Sequence, residues 1–406
     1  MAPVRAETEA TLSDEGLRHE APPRRAGRAD ELAQQLDRLR ERIRIAVVYG
    51  GDKASDGAVI NKTANPRSWK SYQDVAEDIA QALSRLGFRH VRLLPDDMRL
   101  GDRLRDQQIH LAWLNSGGVQ GYNPMAHTAA MLEMFGVPYI GHDPLTAGTL
   151  DNKDAFKRNL LHLGIRTPPF MTWHVSRGAF RPKVNSQFLR TFKEHWGAYV
   201  VKPVSGRASI HIHVVDDESD LSDAIDEVIR ATENHVLIEA HLPGREFCVA
   251  VSGAVVAQDG ELRRRCEPFV FSEMELMLDP GERIATSIDL RPITADRLRI
   301  LEADGDGDTL RQLHELARKV YLEMNLASIV RLDVRADAAG ALNVLEANPK
   351  PDLKAPGGAR TSLVSAGLDR HGMTYDDLIL SLLADRIDFL FSQRRGTVNQ
   401  LGELLA

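Results

Sequence analysis

The feature that most constrains the fold lies where the body of the chain begins: the run Ile43-Arg44-Ile45-Ala46-Val47-Val48-Tyr49, closed by Gly50-Gly51. A nearly continuous apolar run is the habit of a parallel strand covered on both faces, and its glycine-rich end faces a ligand crevice. The unit then repeats. A helix over about 71–86 stops at Gly87, a strand follows at 89–94, and Ile109-His110-Leu111-Ala112-Trp113-Leu114 runs into Asn115-Ser116-Gly117-Gly118. A helix over about 124–135 and the strand Pro138-Tyr139-Ile140-Gly141 complete the series. Strands alternating with helices predict a doubly wound α/β domain over 43–147.

Beyond it the texture changes. A helix is expected at 151–163, strands at 198–203 and 210–215, a helix at 219–231, and strands at 235–240 and 246–253. A helix at 309–324 leads into strands at 328–336 and 341–346, while 254–308 gives no clear pattern. This is the order of antiparallel α+β layers, so the fold class is α/β plus α+β. Residues 1–28 lack periodicity and read as disordered, and Leu32, Leu36 and Leu39 put an amphipathic helix over 30–42. The division expected is 1–42 as tail and helix, 43–147, 148–236, 237–395, and a tail at 396–406.

Charge narrows the partners. Of 406 residues, 51 are Lys or Arg and 58 Asp or Glu, a net charge of −7 that repels a polyphosphate backbone and argues against nucleic acid as partner. No stretch approaches the roughly 20 apolar residues of a membrane span, and the N-terminus lacks the apolar core of a secretory signal, which together read as cytoplasmic without a membrane partner. Cys248 and Cys266 have neither metal-ligand nor redox spacing; both read as buried fillers in a reducing compartment.

Chemistry concentrates in a few segments. Lys202 closes the strand Ala198-Tyr199-Val200-Val201-Lys202-Pro203, where a rigid stem can present its ammonium to phosphate. Downstream, Arg331 and Asp333 alternate on one strand and Glu346 and Asn348 on the next, across a short turn at 337–340. Period two puts each pair on one face. Paired as a hairpin, the strands would gather two carboxylates, an amide oxygen and a guanidinium, the oxygen-rich set that holds Mg²⁺ beside a triphosphate. The bland account of the same residues is a solvated sheet edge.

The order of segments over about 43–385 resembles the ATP-grasp superfamily, and within it the D-alanine–D-alanine ligases. The resemblance rests on Gly136-Val137-Pro138-Tyr139-Ile140-Gly141 with Leu150-Asp151-Asn152-Lys153, on Val200-Val201-Lys202-Pro203, and on Val236-Leu237-Ile238-Glu239. It continues through Gly244-Arg245-Glu246-Phe247, Arg331-Leu332-Asp333-Val334 and Leu345-Glu346-Ala347-Asn348-Pro349. It implies an ATP-grasp fold, with an N-terminal doubly wound domain and two α+β subdomains clasping ATP. By position, Lys153 and Lys202 would contact ATP phosphates and the adenine pocket, Glu239 would be the hinge acid near the base, and Glu246 the ribose-binding acid. Arg331 would steady the transferred phosphoryl group, and Asp333, Glu346 and Asn348 would ligate two Mg²⁺ (or Mn²⁺) ions. The implied activity is an ATP-dependent, ADP-forming carboxylate–amine ligase that makes an amide or dipeptide bond through an acyl phosphate. Its substrates would be a small carboxylate and an amine, amino acids or peptides, and its assembly a homodimer.

The chain also departs from the pattern. The family's glycine loop after the strand lysine is reduced to Gly206 and Ser209, with Arg207 as a substitute cation. An acid for the first substrate's ammonium is not visible after Gly50-Gly51, where Asp52-Lys53-Ala54-Ser55 stands, and Lys62, Arg67 and Trp69 nearby form a cation–aromatic mix suited to a carboxylate. The segment after Asn348 is lengthened; within it Gly357 or Gly358 would offer a backbone amide to the acyl-phosphate oxyanion and Ser362 would face substrate. The depleted loop motivates a competing reading, a nucleotide-binding regulatory protein without turnover. His211 and His213, two apart on an expected strand, are a weaker metal pair, and the alternating acids Asp304–Asp308 a weaker calcium loop.

Overall fold

The computed structural model describes residues 29–62, 70–206, 210–284, 295–357, 362–393 and 398–406. The expected disorder of 1–28 and the residues Arg67, Trp69, Arg207, Ser209 and Gly358 lie outside these.

The first unit runs α1 (Ala29–Arg40), β1 (Arg44–Tyr49), α2 (Gln73–Arg85), β2 (His90–Pro95), α3 (Leu100–Asp106), β3 (Leu111–Asn115), α4 (His127–Met134) and β4 (Tyr139–Ile140). Its four strands are parallel in the order β2-β1-β3-β4. The run at 43–49 is buried because its alternate residues enter two cores. Ile45 and Val47 meet Val75, Ile79 and Leu83 of α2, and Ala46 and Val48 meet Leu100, Leu104 and Leu132 on the other face. This double coverage is the doubly wound arrangement. In α1 the leucines at 32, 36 and 39 are buried, and they join the core shared with α2.

The second unit comprises α5 (Pro144–Asp151), α6 (Lys153–His162), β5 (Phe170–Trp173), α7 (Ser186–Thr191), β6 (Tyr199–Pro203), β7 (His213–Val215), α8 (Leu221–Thr232) and β8 (Val236–Ala240). Its antiparallel sheet has the order β5-β8-β6-β7. Ile225 and Val228 of α8 seal one face together with Phe180, Phe188 and Phe192. The strand expected at 210–215 is shorter than its pattern suggested. His211 has φ +59, a left-handed turn, so His211 and His213 do not share a strand face, and the metal pair is not formed.

The third unit comprises β9 (Glu246–Ser252), β10 (Val255–Gln258), β11 (Glu261–Arg264), β12 (Phe269–Leu276), β13 (Leu298–Ile300), α9 (Ala303–Glu323), β14 (Val330–Ala336), β15 (Leu342–Asn348), α10 (Tyr375–Gln393) and α11 (Asn399–Leu405). Strands pair antiparallel in the order β13-β12-β9-β14-β15, and β10 and β11 form a separate hairpin. Among the described residues the stretch 254–308 thus holds four strands, β10, β11, β12 and β13, and the start of α9; a bulge between Phe271 and Met274 breaks the alternation that would have revealed β12. The acids of the calcium-like motif open α9 instead. Asp306 there is buried and bound by Arg299 and Arg245. Cys248 is buried as expected, whereas Cys266 is exposed in the turn beyond β11, which corrects that expectation.

Helix α6 belongs to two units at once: its chain is continuous with the second, yet Phe156 and Leu160 pack in the core of the third with Val249, Leu313 and Val344. Helix α10, buried along Leu378, Ile379, Leu382, Leu383 and Ile387, joins the core of the first unit to β10 and Phe271. Among the described residues no helix is long and apolar enough to cross a membrane.

Candidate active site

The site forms where β15 and β14 of the third sheet face β6 and β8 of the second. The hairpin register sets Asp333 opposite Glu346 and Arg331 opposite Asn348, so the four side chains expected to share a face do share it. The guanidinium of Arg331 grips Asp333 through two bonds, Nε to Oδ1 and Nη2 to Oδ2, each 2.8 Å. Asn348 Nδ2 donates to Asp333 Oδ2 at 3.3 Å. Asp333 and Glu346 stand opposite one another across the hairpin, and the negative charge of each opposes that of the other.

Lysines approach from the other side. Lys153 opens α6, where Asn152 caps the helix by accepting from Ala155 N at 3.0 Å. Its Nζ stands 3.1 Å from Glu346 Oε2 and donates to the Gly206 carbonyl at 3.3 Å, tying β15 to the segment that follows β6. Lys202 is ion-paired to Glu239 Oε1, and both are buried. Glu239 in turn pairs through Oε2 with Lys157, 2.9 Å away. Lys157 was not singled out from sequence. Its signal was its place four residues after Lys153, one turn along the same helix face.

The electrostatics follow from burial and these pairings. Burial disfavours the charge on Lys202, but Glu239, Glu346 and Glu246 outweigh it and hold the ammonium above its ordinary value. Lys157 goes the other way: burial wins over Glu239, with Lys202 adding repulsion, and its pKa falls to about 8. Burial would raise Glu239, yet Lys157 and Lys202 hold it below the usual carboxylate range. Burial likewise opposes charge on Glu346, but Lys153, Lys202 and Arg331 bring it to about 2. Asp333 is pushed up, by burial and by the adjacent Glu346, against the pull of Arg331. The two carboxylates thus crowd negative charge beside Arg331 and Lys153, and the pair gains from any further cation.

Glu246 lies on β9 beside Arg335, whose Nη1 is 3.0 Å from Glu246 Oε2 and whose Nε donates to the Gly244 carbonyl at 3.2 Å. Arg335 is a second residue missed in the sequence, although it continues the alternation Arg331, Asp333, Arg335. Gly357 is exposed with φ +102, and nothing stands within 4 Å of where a Cβ would project. Its glycine serves the turn. Ser362 is buried, donates to the Asp352 carbonyl, and accepts from Val364 N and Ser365 N at 3.2 Å, so its hydroxyl organises the chain beyond the inserted segment.

The donor chemistry suits a hard divalent cation: two carboxylates and one amide converge on one face. Among the described residues no group of three or more His, Cys, Asp and Glu side chains is placed to hold a metal ion.

Comparison with known proteins agrees with this geometry. The family model of the D-ala D-ala ligase C-terminus matches residues 160–384. The D-alanine–D-alanine ligase of Marinomonas sp. (strain MWYL1) is 26% identical over 340 residues, 82% of this chain and 93% of that protein. The D-alanine–D-alanine ligase of Aquifex aeolicus (strain VF5) is 25% identical over 346 residues, 83% and 98% of the two chains. Among solved structures, the D-alanine–D-alanine ligase from Bacillus anthracis complexed with ATP superposes with a TM-score of 0.59 at 16% identity, covering 86% of this chain and 99% of that one. Relatives that are ligases do not favour a regulator without turnover. The chain belongs to the D-ala D-ala ligase C-terminus family and is an ATP-dependent, ADP-forming ligase of ATP-grasp fold.

Proposed function

We propose that the ligase joins a small carboxylate, an amino acid or peptide, to an amine through an acyl phosphate, using Mg²⁺ or Mn²⁺ held by Asp333, Glu346 and Asn348. The observation that carries the reading is the contact of Lys153 with Glu346 at 3.1 Å, which brings a phosphate-type cation and the oxygen donors of the catalytic hairpin to one point.

A substrate carboxylate oxygen attacks the γ-phosphorus, the bond to the β-bridging oxygen breaks, and ADP leaves with that electron pair. The amine then attacks the acyl carbon, loses a proton, and phosphate departs with the C–O electron pair. Bound metal would neutralise the charge on the β- and γ-phosphates. Lys153 and Lys202 would bind the polyphosphate, and Arg331, fixed by Asp333, would face the transferred group. Glu239 is assigned to the hinge near the base, Glu246 with Arg335 to the ribose side, Gly357 and Gly358 to the oxyanion, and Ser209 and Ser362 to nucleotide and substrate contacts by resemblance. The parallel sheet at 43–147 is assigned to substrate, and 148–236 and 237–395 to the two halves of the nucleotide clasp. A cytoplasmic homodimer without nucleic-acid or membrane partners fits this reading.

The test is ADP release over a panel of carboxylates and amines, with hydroxylamine present to trap the acyl phosphate as a hydroxamate. A hydroxamate formed only with ATP and a divalent cation is expected. ATP binding with no hydroxamate and no ADP from any pair would overturn the acyl-phosphate route.

A further inference from the structure

Resting on the nucleotide clasp proposed above, we propose that Arg335 is a specificity-determining residue for the nucleotide: its guanidinium stacks on the base and makes the site prefer a purine to a pyrimidine.

Arg335 lies on β14, four residues beyond Arg331. Val330, Leu332, Val334 and Ala336 enter the core of the third unit, so Arg331, Asp333 and Arg335 share the opposite face, and the pairing of β14 with β9 runs unbroken past all three. Four residues of strand span about 13 Å. An extended nucleoside triphosphate covers such a length from its γ-phosphate to its base. On the facing sheet, Lys202 of β6 likewise stands four residues from Ala198. The phosphate cations of both halves of the clasp are thus equally far along their strands from one place.

That place is a cavity of about 760 Å³ lined by Arg335, by Ala198 and by His241, the first residue after β8. Small-molecule sites are of roughly this size and favour the junction of two units. The backbone N–H of His241 donates to the Ala198 carbonyl at 2.9 Å, and its Nε2 to the Arg283 carbonyl at 2.9 Å, so the second and third units meet at the cavity wall. Glu194, Glu282 and Asp337 also line it and balance its arginines, Arg283 and Arg335, which suits an uncharged base better than a further anion.

The guanidinium of Arg335 is buried and tethered. Its Nη1 is 3.0 Å from Glu246 Oε2, and its Nε donates to the Gly244 carbonyl at 3.2 Å. Such bonds lie in the guanidinium plane, so they fix that plane and leave its faces for packing. Burial opposes the charge and Arg283 repels it, with Glu246 and Glu239 offsetting part of this. A guanidinium short of water gains most from an aromatic face, and the two fused rings of a purine offer more of one than a pyrimidine does.

The experiment is calorimetric titration of the full chain, with Mg²⁺ present, using non-hydrolysable analogues of ATP and CTP and, as a probe without a nucleoside, inorganic tripolyphosphate. The wild type should bind the adenine analogue more tightly than the cytosine one. Arg335→Met should weaken the adenine analogue about fivefold, the scale of one desolvated cation–aromatic contact, bring the two analogues within twofold, and leave tripolyphosphate as in the wild type. Arg335→Lys keeps a counter-charge for Glu246 without the plane; its base preference should shrink as well, which carries the test if the methionine variant does not fold. A wild type that binds both analogues equally, a base preference intact in the variants, or an equal loss of the adenine analogue and tripolyphosphate would overturn the proposal. Failure of the acyl-phosphate route is seen separately, as bound nucleotide that never yields ADP or hydroxamate.

Discussion

Lys157 Nζ lies 2.9 Å from Glu239 Oε2, and this pair joins a helix packed on the third sheet to a central strand of the second. Lys157 also donates to Thr167 Oγ1 at 2.6 Å, and Thr167 donates to the Val344 carbonyl of β15 at 2.8 Å. One buried carboxylate thus answers two ammonium groups, Lys157 and Lys202, and the chain of contacts runs from β8 to β15. Glu239→Gln leaves both lysines without their counter-charge, which in a buried site costs about 3–5 kcal/mol. Lys157→Met should cost less, because Lys202 still answers Glu239. Urea unfolding measures both; a Glu239→Gln protein as stable as the wild type would contradict the assigned network.

The same lysine predicts a pH response. Its folded pKa of about 8 lies below the ordinary value of roughly 10.4, so between these limits the unfolded chain binds the proton that the folded one has released. Stability should therefore rise with pH through that window, by up to about 1.4 kcal/mol per pH unit for this group alone. Lys202 is held above its ordinary value; its contribution is present throughout the window and is lost only at higher pH. Urea midpoints of the wild type and Lys157→Met from pH 8 to 10 make the comparison. The variant should lack the rising component, and an identical slope in the two proteins would rule it out.

Much of this site was legible because strand periodicity is a strong constraint. Arg331, Asp333, Glu346 and Asn348 could be placed on one face by counting in twos, and the register obeys it even though a bulge follows Asp333. Lys157 was not legible for the converse reason. Its spacing from Lys153 marks a helix face, but only the packing of Phe156 and Leu160 on the third sheet turns that face toward Glu239. The contact of Lys350 with the Tyr72 ring was not legible either, since it spans nearly three hundred residues and no local pattern announces such a pairing. His211 failed in the opposite direction, since a left-handed turn interrupted the alternation that had placed it on a strand.

The hairpin donors lead to a metal prediction. Asp333→Asn and Glu346→Gln each remove a charge that a divalent cation would use, while leaving a side chain of the same shape to hold neighbouring contacts. Turnover should fall by on the order of 10²–10³, the scale of losing one well-placed electrostatic contact in the transition state. Melting should fall as well, because each substitution leaves a buried cation, Arg331 or Lys153, short of its counter-charge, so turnover is compared below the melting transition of each variant. Treatment with a chelator should abolish ADP release from the wild type, and added Mg²⁺ or Mn²⁺ should restore it. A variant that melts normally and turns over normally would remove these residues from the metal site.

An acid-sensitive clasp joins β12 to α9 and to the segment before α10. Glu273, at the bulge of β12, lies 2.5 Å through Oε1 from His314 Nε2 of α9 and 3.0 Å through Oε2 from His371 Nε2, just before α10. Burial opposes its charge, but the hydrogen bonds from the two histidines hold its pKa at about 2, below the usual carboxylate range. A depressed carboxylate contributes stability that is complete above its unfolded pKa of roughly 4.3 and is lost as pH falls toward the folded value. Glu273→Gln should therefore be less stable than the wild type at pH 6, and the difference should shrink as the pH is lowered from 4.5 to 3. Unfolding curves over that range provide the measurement. A difference that stays constant down to pH 3 would show that the two histidines do not stabilise the ionised form of Glu273.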